Sequence, residues 1–263
     1  MDRKDMKFYI IVQGGQSNAE GSGCGPVTEE FIPLEDVWYL NVEKTVQEVD
    51  GNLLITYADK PFALEIAKER TLNGNVYGDF ALTFAQSYIK AGSLKEGRKL
   101  LIVRAAIGGT GFKKAHWGLG NLLYEKLKEM VEYALSLNEE NRIVAFLWHQ
   151  GEHDAFEKND PAVFKTQLAD QLQDFRARYG EKIPFVAGDF VSEWKNKNLE
   201  DCKPILSNIR EVIAENMPAA FVETADLLSN NEKHQNGDDI HFCRESLHIL
   251  GKRYFDAFQS LEK

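Results

Sequence analysis

Cysteine is scarce: only Cys24, Cys202 and Cys243 occur in 263 residues. Three cannot all pair within one chain, and their wide spacing fits neither a disulfide framework nor a zinc ribbon, so buried free thiols are expected. Cys243 stands close to His241, but a lone cysteine beside a histidine is read as packing rather than as a thiol nucleophile. Basic residues are also in deficit, with 31 Lys and Arg against 41 Asp and Glu and a formal net charge of −10. Binding to nucleic acid rests on clustered Lys and Arg that neutralise phosphates, so such a partner is excluded. No apolar run is long enough to span a bilayer, so no membrane partner is expected either, and no internal repeat or low-complexity tract occurs. Met1 to Asp5 lead directly into a strand-like segment without an apolar leader region. The chain as given is therefore expected in the cytoplasm, or secreted or periplasmic if a signal peptide has been removed.

Core material, by contrast, is plentiful. Hydrophobic residues make up 43% of the chain and sixteen are Phe, which excludes disorder and suits one large folded domain over residues 1–263. Short β-branched or apolar runs at Phe8–Val12, Leu100–Val103, Ile143–Trp148, Phe185–Ala187 and Ala220–Val222 have the form of buried parallel strands. Between and after them, apolar residues return every three or four positions over Phe80–Lys90, Leu122–Leu137, Val163–Tyr179, Ile205–Asn216 and Leu247–Leu261, which predicts helices. Alternating strands and helices predict an α/β fold, a three-layer α/β/α sandwich around a central parallel sheet. Residues 24–75 break that rhythm with Pro26, Pro33 and Pro61 and short strand-like pieces at Val37–Leu40 and Leu53–Tyr57. They read as an elaborated insertion lying over the mouth of a site.

Ligands of such sheets bind beyond the carboxyl ends of the strands, and four loops there carry unusual residues. The first is Gly14-Gly15-Gln16-Ser17-Asn18-Ala19-Glu20-Gly21, a sharp turn that leaves Ser17 near a helix N-terminus whose free amides suit a developing oxyanion. It matches neither phosphate-loop pattern. The second, Ala106-Ile107-Gly108-Gly109-Thr110-Gly111, offers bare backbone amides. The third, Trp148-His149-Gln150-Gly151-Glu152-His153-Asp154, packs polar residues onto a strand end. The fourth is Asp238-Asp239-Ile240-His241-Phe242. A carboxylate three residues before a histidine can hold its Nδ1–H and leave Nε2 to take a hydroxyl proton. An early serine with a late Asp-His pair makes a candidate triad, in which Asp239 is an alternative to Asp238.

These four blocks, in this order, with Leu250-Gly251-Lys252-Arg253 following the last, resemble the sialate O-acetylesterase-like and acetylxylan esterase branch of the SGNH hydrolases, carbohydrate esterase family 6. The resemblance implies an SGNH, flavodoxin-like sandwich and a serine esterase that removes acetyl groups from a carbohydrate, with no metal or organic cofactor. It implies Ser17 as nucleophile, His241 as base and Asp238 as its orienting acid. Oxyanion donors would be the amide of Ser17, an amide of Gly108 or Gly109, and the side-chain amide of Gln150. Gln16, Asn18, Glu152 and His153 would contact substrate, and His153 replaces a smaller residue usual in the family. Protonation of His241 at low pH should abolish activity.

Two other functions fit parts of the sequence. His149-Gln150-Gly151-Glu152-His153 matches the H-x-x-E-H pattern of a zinc hydrolase, which needs both histidines on one helix face. Gly151 opposes a continuous helix there. A non-catalytic carbohydrate-binding protein would instead use Trp117, Trp148 and Trp194 as stacking platforms.

Overall fold

The computed structural model describes residues 6–26, 32–72 and 74–262. Residues 1–5, on which the expectation for the N-terminus rests, and residues 27–31 and 73 of the 24–75 insertion lie outside the described residues. The strands are β1 (Lys7–Gly15), β2 (Gly23–Pro26), β3 (Val37–Asn41), β4 (Lys44–Val49), β5 (Asn52–Tyr57), β6 (Ala63–Ile66), β7 (Arg70–Leu72), β8 (Asn75–Gly78), β9 (Arg98–Ala106), β10 (Arg142–His149), β11 (Phe185–Gly188) and β12 (Ala219–Val222). The helices are α1 (Ser17–Glu20), α2 (Phe80–Lys90), α3 (Leu122–Ser136), α4 (Glu152–Phe156), α5 (Pro161–Tyr179), α6 (Ser192–Lys197), α7 (Leu199–Glu215), α8 (Asn230–His234) and α9 (Arg244–Leu261).

The central sheet runs β12-β11-β10-β1-β9-β3-β6. Every neighbouring pair is parallel except β3 and β6. With β3 and β6 set aside, the five remaining strands follow the doubly wound order 2-1-3-4-5 of flavodoxin-like folds, and the winding reverses between β1 and β10. Successive residues of β1 feed opposite faces: Phe8, Ile10 and Val12 join the core beneath α3, α5 and α7, while Tyr9 and Ile11 join the core beneath α2 and α9. A strand covered on both faces reads as a continuous apolar run, which is why the sequence announces it. The sandwich is three-layered, as predicted.

Local chemistry sets the helix starts. Asp79 caps α2 by accepting the Ala81 amide at 2.8 Å, and Asp160 caps α5 through Ala162 and Val163, with Pro161 in the first turn. Helix α7 begins six residues before the predicted Ile205 and carries Pro204 inside it. A proline normally ends a helical reading, but here buried Cys202, ahead of the proline, anchors the additional turn.

The 24–75 insertion divides into three parts. Strands β3 and β6 extend the central sheet, β2, β8 and β7 form a small antiparallel sheet, and β4 and β5 form a hairpin. The hairpin meets the site at Leu53, whose Cδ1 would lie 3.4 Å from a Cβ placed on Gly109. The rest of the described insertion is structural rather than a cover over the mouth.

Candidate active site

The first, second and third loops follow β1, β9 and β10, three adjacent parallel strands. Gly15 sits at φ +138°, and a Cβ there would lie 2.1 Å from the His149 carbonyl oxygen, so β1 can end against β10 only with glycine at this position. The strand therefore continues through Gly14-Gly15, and the turn falls at Gln16, whose amide donates to the His149 carbonyl at 3.0 Å. One turn of helix follows, and Ser17, at its start, keeps 7% of its surface exposed. The amides of Ser17 and Asn18 donate to no group among the described residues.

His241 arrives from the other end of the chain. Its Nδ1 lies 2.8 Å from Asp238 Oδ1 and 3.0 Å from Oδ2. Asn230 donates to Asp238 Oδ2 at 2.8 Å. Burial pushes the Asp238 carboxyl up, but His241, Asn230 and the His241 amide together hold it below the ordinary aspartate range. Asp239 turns away to Lys197 at 2.9 Å, so Asp238 is the histidine's partner. Asn18, next to Ser17, brackets His241: its Nδ2 donates to the Ile240 carbonyl at 3.2 Å and its Oδ1 accepts the Phe242 amide at 3.1 Å. The residue after Ser17 is thus tied to the residues on both sides of His241 despite their separation in sequence.

Three of the four expected substrate contacts are internal. Asn18 and Glu152 have no exposed surface, and Asn18 Nδ2 donates to Glu152 Oε1 at 2.9 Å. Burial pushes Glu152 up, yet His149 and Asn18 outweigh it and keep the carboxyl low. Gln16, also buried, accepts the His153 amide at 3.0 Å. These bonds brace the loops, although Glu152 Oε2, also buried, has no hydrogen-bond partner among the described residues. Half-buried His153 alone of the four lines an open cleft.

The oxyanion expectations also need correction. The Gly108 amide donates to Glu20 Oε2 at 2.9 Å, and Glu20 Oε1 accepts from Lys44 at 3.2 Å. Gln150 Nε2 donates to Asp154 Oδ2 at 2.5 Å and faces the Thr110 carbonyl at 3.4 Å. Both groups are therefore engaged. The Gly109 amide, by contrast, has no partner among the described residues.

Asp154, quoted in the third block but given no role, is the hub of this region. It accepts the Phe112 and Lys113 amides at 3.0 and 2.9 Å and the Asn159 side chain at 2.7 Å, besides Gln150. A Cβ on Gly111 would fall 2.6 Å from Asp154 Oδ2, so glycine lets the second loop close onto this carboxylate. Glu20, Lys44 and Asn230 were also missed, because their pairings cross long stretches of sequence.

The competing sequence patterns separate in space. His149 ends β10, where its Nδ1 meets the Tyr254 hydroxyl at 2.9 Å, whereas His153 lies in α4 beyond Gly151 at φ +140°. The two do not share a helix face, and among the described residues no cluster of His, Cys, Asp and Glu is placed to hold a metal ion. Trp117, Trp148 and Trp194 are all buried and offer no platform for a sugar. Cys243 is buried too, and burial raises its thiol pKa, the reverse of what a nucleophile needs.

A cleft of about 270 Å³ opens between the second and third loops, lined by Gly109, Lys114, His116, His153, Phe156, Glu157 and the tip of the β4–β5 hairpin. Hollows of about 410 and 1000 Å³ lie at the opposite end of the sheet, around residues that precede or begin its strands. Ligands of a doubly wound sheet sit at carboxyl ends, so the smaller cleft is the relevant one.

The chain is a carboxylic ester hydrolase on a doubly wound α/β sandwich. It belongs to the family described as carbohydrate esterase, sialic acid-specific acetylesterase, whose profile matches residues 7–260. Its fold is shared with NanS at a TM-score of 0.73, with 20% identity over 97% of each chain. It is shared with an Arabidopsis thaliana protein at 0.68, with 18% identity over 96% of this chain and 98% of that one. A carbohydrate acetylesterase from Xanthomonas citri gives 0.65, with 16% identity over 96% of this chain and 56% of the other. No curated protein sequence matches the chain.

Proposed function

We propose that the protein hydrolyses O-acetyl esters of a carbohydrate through Ser17, His241 and Asp238. The observation that supports this reading is the bracket formed by Asn18, which ties the segment carrying the His241–Asp238 pair to the residue after Ser17. Ser17 Oγ attacks the acetyl carbonyl while His241 Nε2 takes its proton, and the carbonyl electron pair moves onto oxygen. The amides of Ser17 and Gly109 receive that oxyanion, each being a donor without a competing partner among the described residues. Collapse breaks the ester bond, and the sugar oxygen leaves with the proton from His241. Water, deprotonated by the same imidazole, then attacks the acetyl-serine and releases acetate. Asp238 stays ionised throughout, and it fixes the tautomer and steadies the imidazolium.

The test is turnover of 4-nitrophenyl acetate by wild type, by Ser17→Ala and by wild type treated with a serine-directed phosphonate. Loss of about 10⁴-fold or more in kcat for the variant, and inactivation by the phosphonate at Ser17, are expected. A Ser17→Ala protein that keeps near-normal turnover would overturn the assignment.

A further inference from the structure

Given the Ser17, His241 and Asp238 mechanism proposed above, on which this step rests, we infer that Asn230 is a positioning residue that fixes the Asp238 carboxylate against His241. Asn230 opens α8 and has no exposed surface. Its side-chain amide offers two N–H donors and a carbonyl acceptor, and each finds a partner. Nδ2 donates to Asp238 Oδ2 at 2.8 Å and to the Ser22 carbonyl at 3.3 Å, while Oδ1 accepts the Cys24 amide at 3.2 Å. Neither leucine nor aspartate, which have nearly the same shape, carries those donors.

The main chain around Asn230 clamps the acid–base segment without help from this side chain. The Asn230 amide donates to the His241 carbonyl and the Asn231 amide to the Asp238 carbonyl, both at 2.8 Å. On either side, the Ser229 hydroxyl and the Asn231 side chain donate to Glu193 of α6 at 2.5 and 2.7 Å. These bonds place the backbone of residues 238 and 241 but leave the Asp238 carboxylate free to turn about its own bonds. Asn230 Nδ2 removes that freedom, because Oδ2 is then held by Asn230 as well as by the His241 ring, while Oδ1 accepts the His241 amide at 3.3 Å. The link continues to the nucleophile: Ser22, whose carbonyl Asn230 holds, donates its hydroxyl to the Ser17 carbonyl at 2.9 Å. A second chain of hydrogen bonds, independent of Asn18, therefore joins the serine turn to the acid. The other ionisable groups packed around the acid are Cys24 of β2, whose thiol burial pushes up, His234 at the far end of α8 against Gly25, and Glu193 and Asp239, both paired with Lys197.

The experiment records kcat and KM for 4-nitrophenyl acetate against pH for wild type, Asn230→Leu and Asn230→Asp. Rates are taken per active site titrated with a serine-directed phosphonate, so that misfolded protein is not counted. Both variants keep the main-chain clamp. The first removes the donor, and the Asp238 carboxylate, no longer sharing its charge with Asn230, favours the imidazolium more strongly. The second sets another carboxyl against Asp238, and its negative charge favours the imidazolium further. In both, kcat should fall about tenfold or more with little change in KM, the mark of a misplaced base. The acid limb of the profile should move to higher pH, by about one unit for Asn230→Asp. A limb that stays at the wild-type pH in the folded variants overturns the inference, whatever happens to kcat, because loosened packing alone leaves the imidazole with an unchanged partner. So does a kcat within about twofold of wild type in both. A wild-type profile with no acid limb at all overturns the histidine base and this inference with it, so the two failures are told apart.

Discussion

The Asn18 side chain donates to Glu152 at 2.9 Å from the same amide group whose oxygen accepts the Phe242 amide. One buried residue therefore joins the loop after β1, the start of α4 and the segment that carries His241. Its truncation removes three hydrogen bonds and leaves the Glu152 carboxylate, which has no exposed surface, short of a donor. Asn18→Ala should lose about 3 kcal/mol in urea denaturation and about 10²-fold in kcat, because misplacement of a base by a fraction of an ångström is costly. If both stability and kcat stayed within a factor of two of wild type, Asn18 would not be the link between Ser17 and His241.

Gln150 separates two roles by magnitude. An oxyanion donor is worth about 10²–10³ in kcat when removed, whereas a brace shows itself in stability. With its amide turned to Asp154 and Thr110, Gln150→Ala should cost about 2 kcal/mol of stability and lower kcat less than about tenfold. A selective kcat loss of 10²-fold with unchanged denaturation would return Gln150 to the oxyanion hole.

What the sequence displays and what it hides follow from the range of the interactions. Phe8–Val12 and Phe80–Lys90 announce themselves because burial on two faces or on one helical stripe leaves a local pattern. The first and third loop blocks are legible for a related reason, since each concentrates polar residues at a strand end. Val37–Leu40 reads as a strand, but nothing in its four residues says whether it covers a site or, as found, pairs with β9. Lys44 and Glu20 are unremarkable alone and gain meaning only when the hairpin folds back onto α1. Buried Asn18 and half-buried His153 both stand among polar neighbours in the blocks, and exposure, which separates bracing from contact, is a property of the packed chain.

That hairpin latch can be tested directly. Lys44 bridges the Glu20 carboxylate and the Ala106 carbonyl, and Glu20 in turn holds the Gly108 amide beside Ser17. Lys44→Met keeps the length of the side chain and removes the charge, so the second loop should loosen next to the free Gly109 amide. We expect kcat for 4-nitrophenyl acetate to fall about tenfold with a small change in KM, the pattern of a positioning defect felt in the transition state. A rise in KM at constant kcat would assign Lys44 to substrate binding instead.

Stability should respond to acid through four carboxylates. Burial pushes Glu20, Glu69, Glu152 and Asp238 up, but in each case partners outweigh it: Lys44 and the Gly108 amide for Glu20, His248 and Arg244 for Glu69, His149 and Asn18 for Glu152, and His241 and Asn230 for Asp238. All four therefore titrate lower in the folded protein than in the unfolded chain, whose carboxyls titrate at about 4. Between the two values the unfolded chain binds more protons, so the stability these groups supply is complete above the unfolded value and is lost as pH falls through the folded ones. Thermal unfolding at constant ionic strength should give a Tm nearly level from about pH 7 to 5 and falling steeply below about pH 4. Glu69→Gln should flatten that acid limb, because Arg244 and His248 would then face a group that no longer titrates. A Tm that rises on acidification would mean that burial wins and these carboxyls are protonated in the fold.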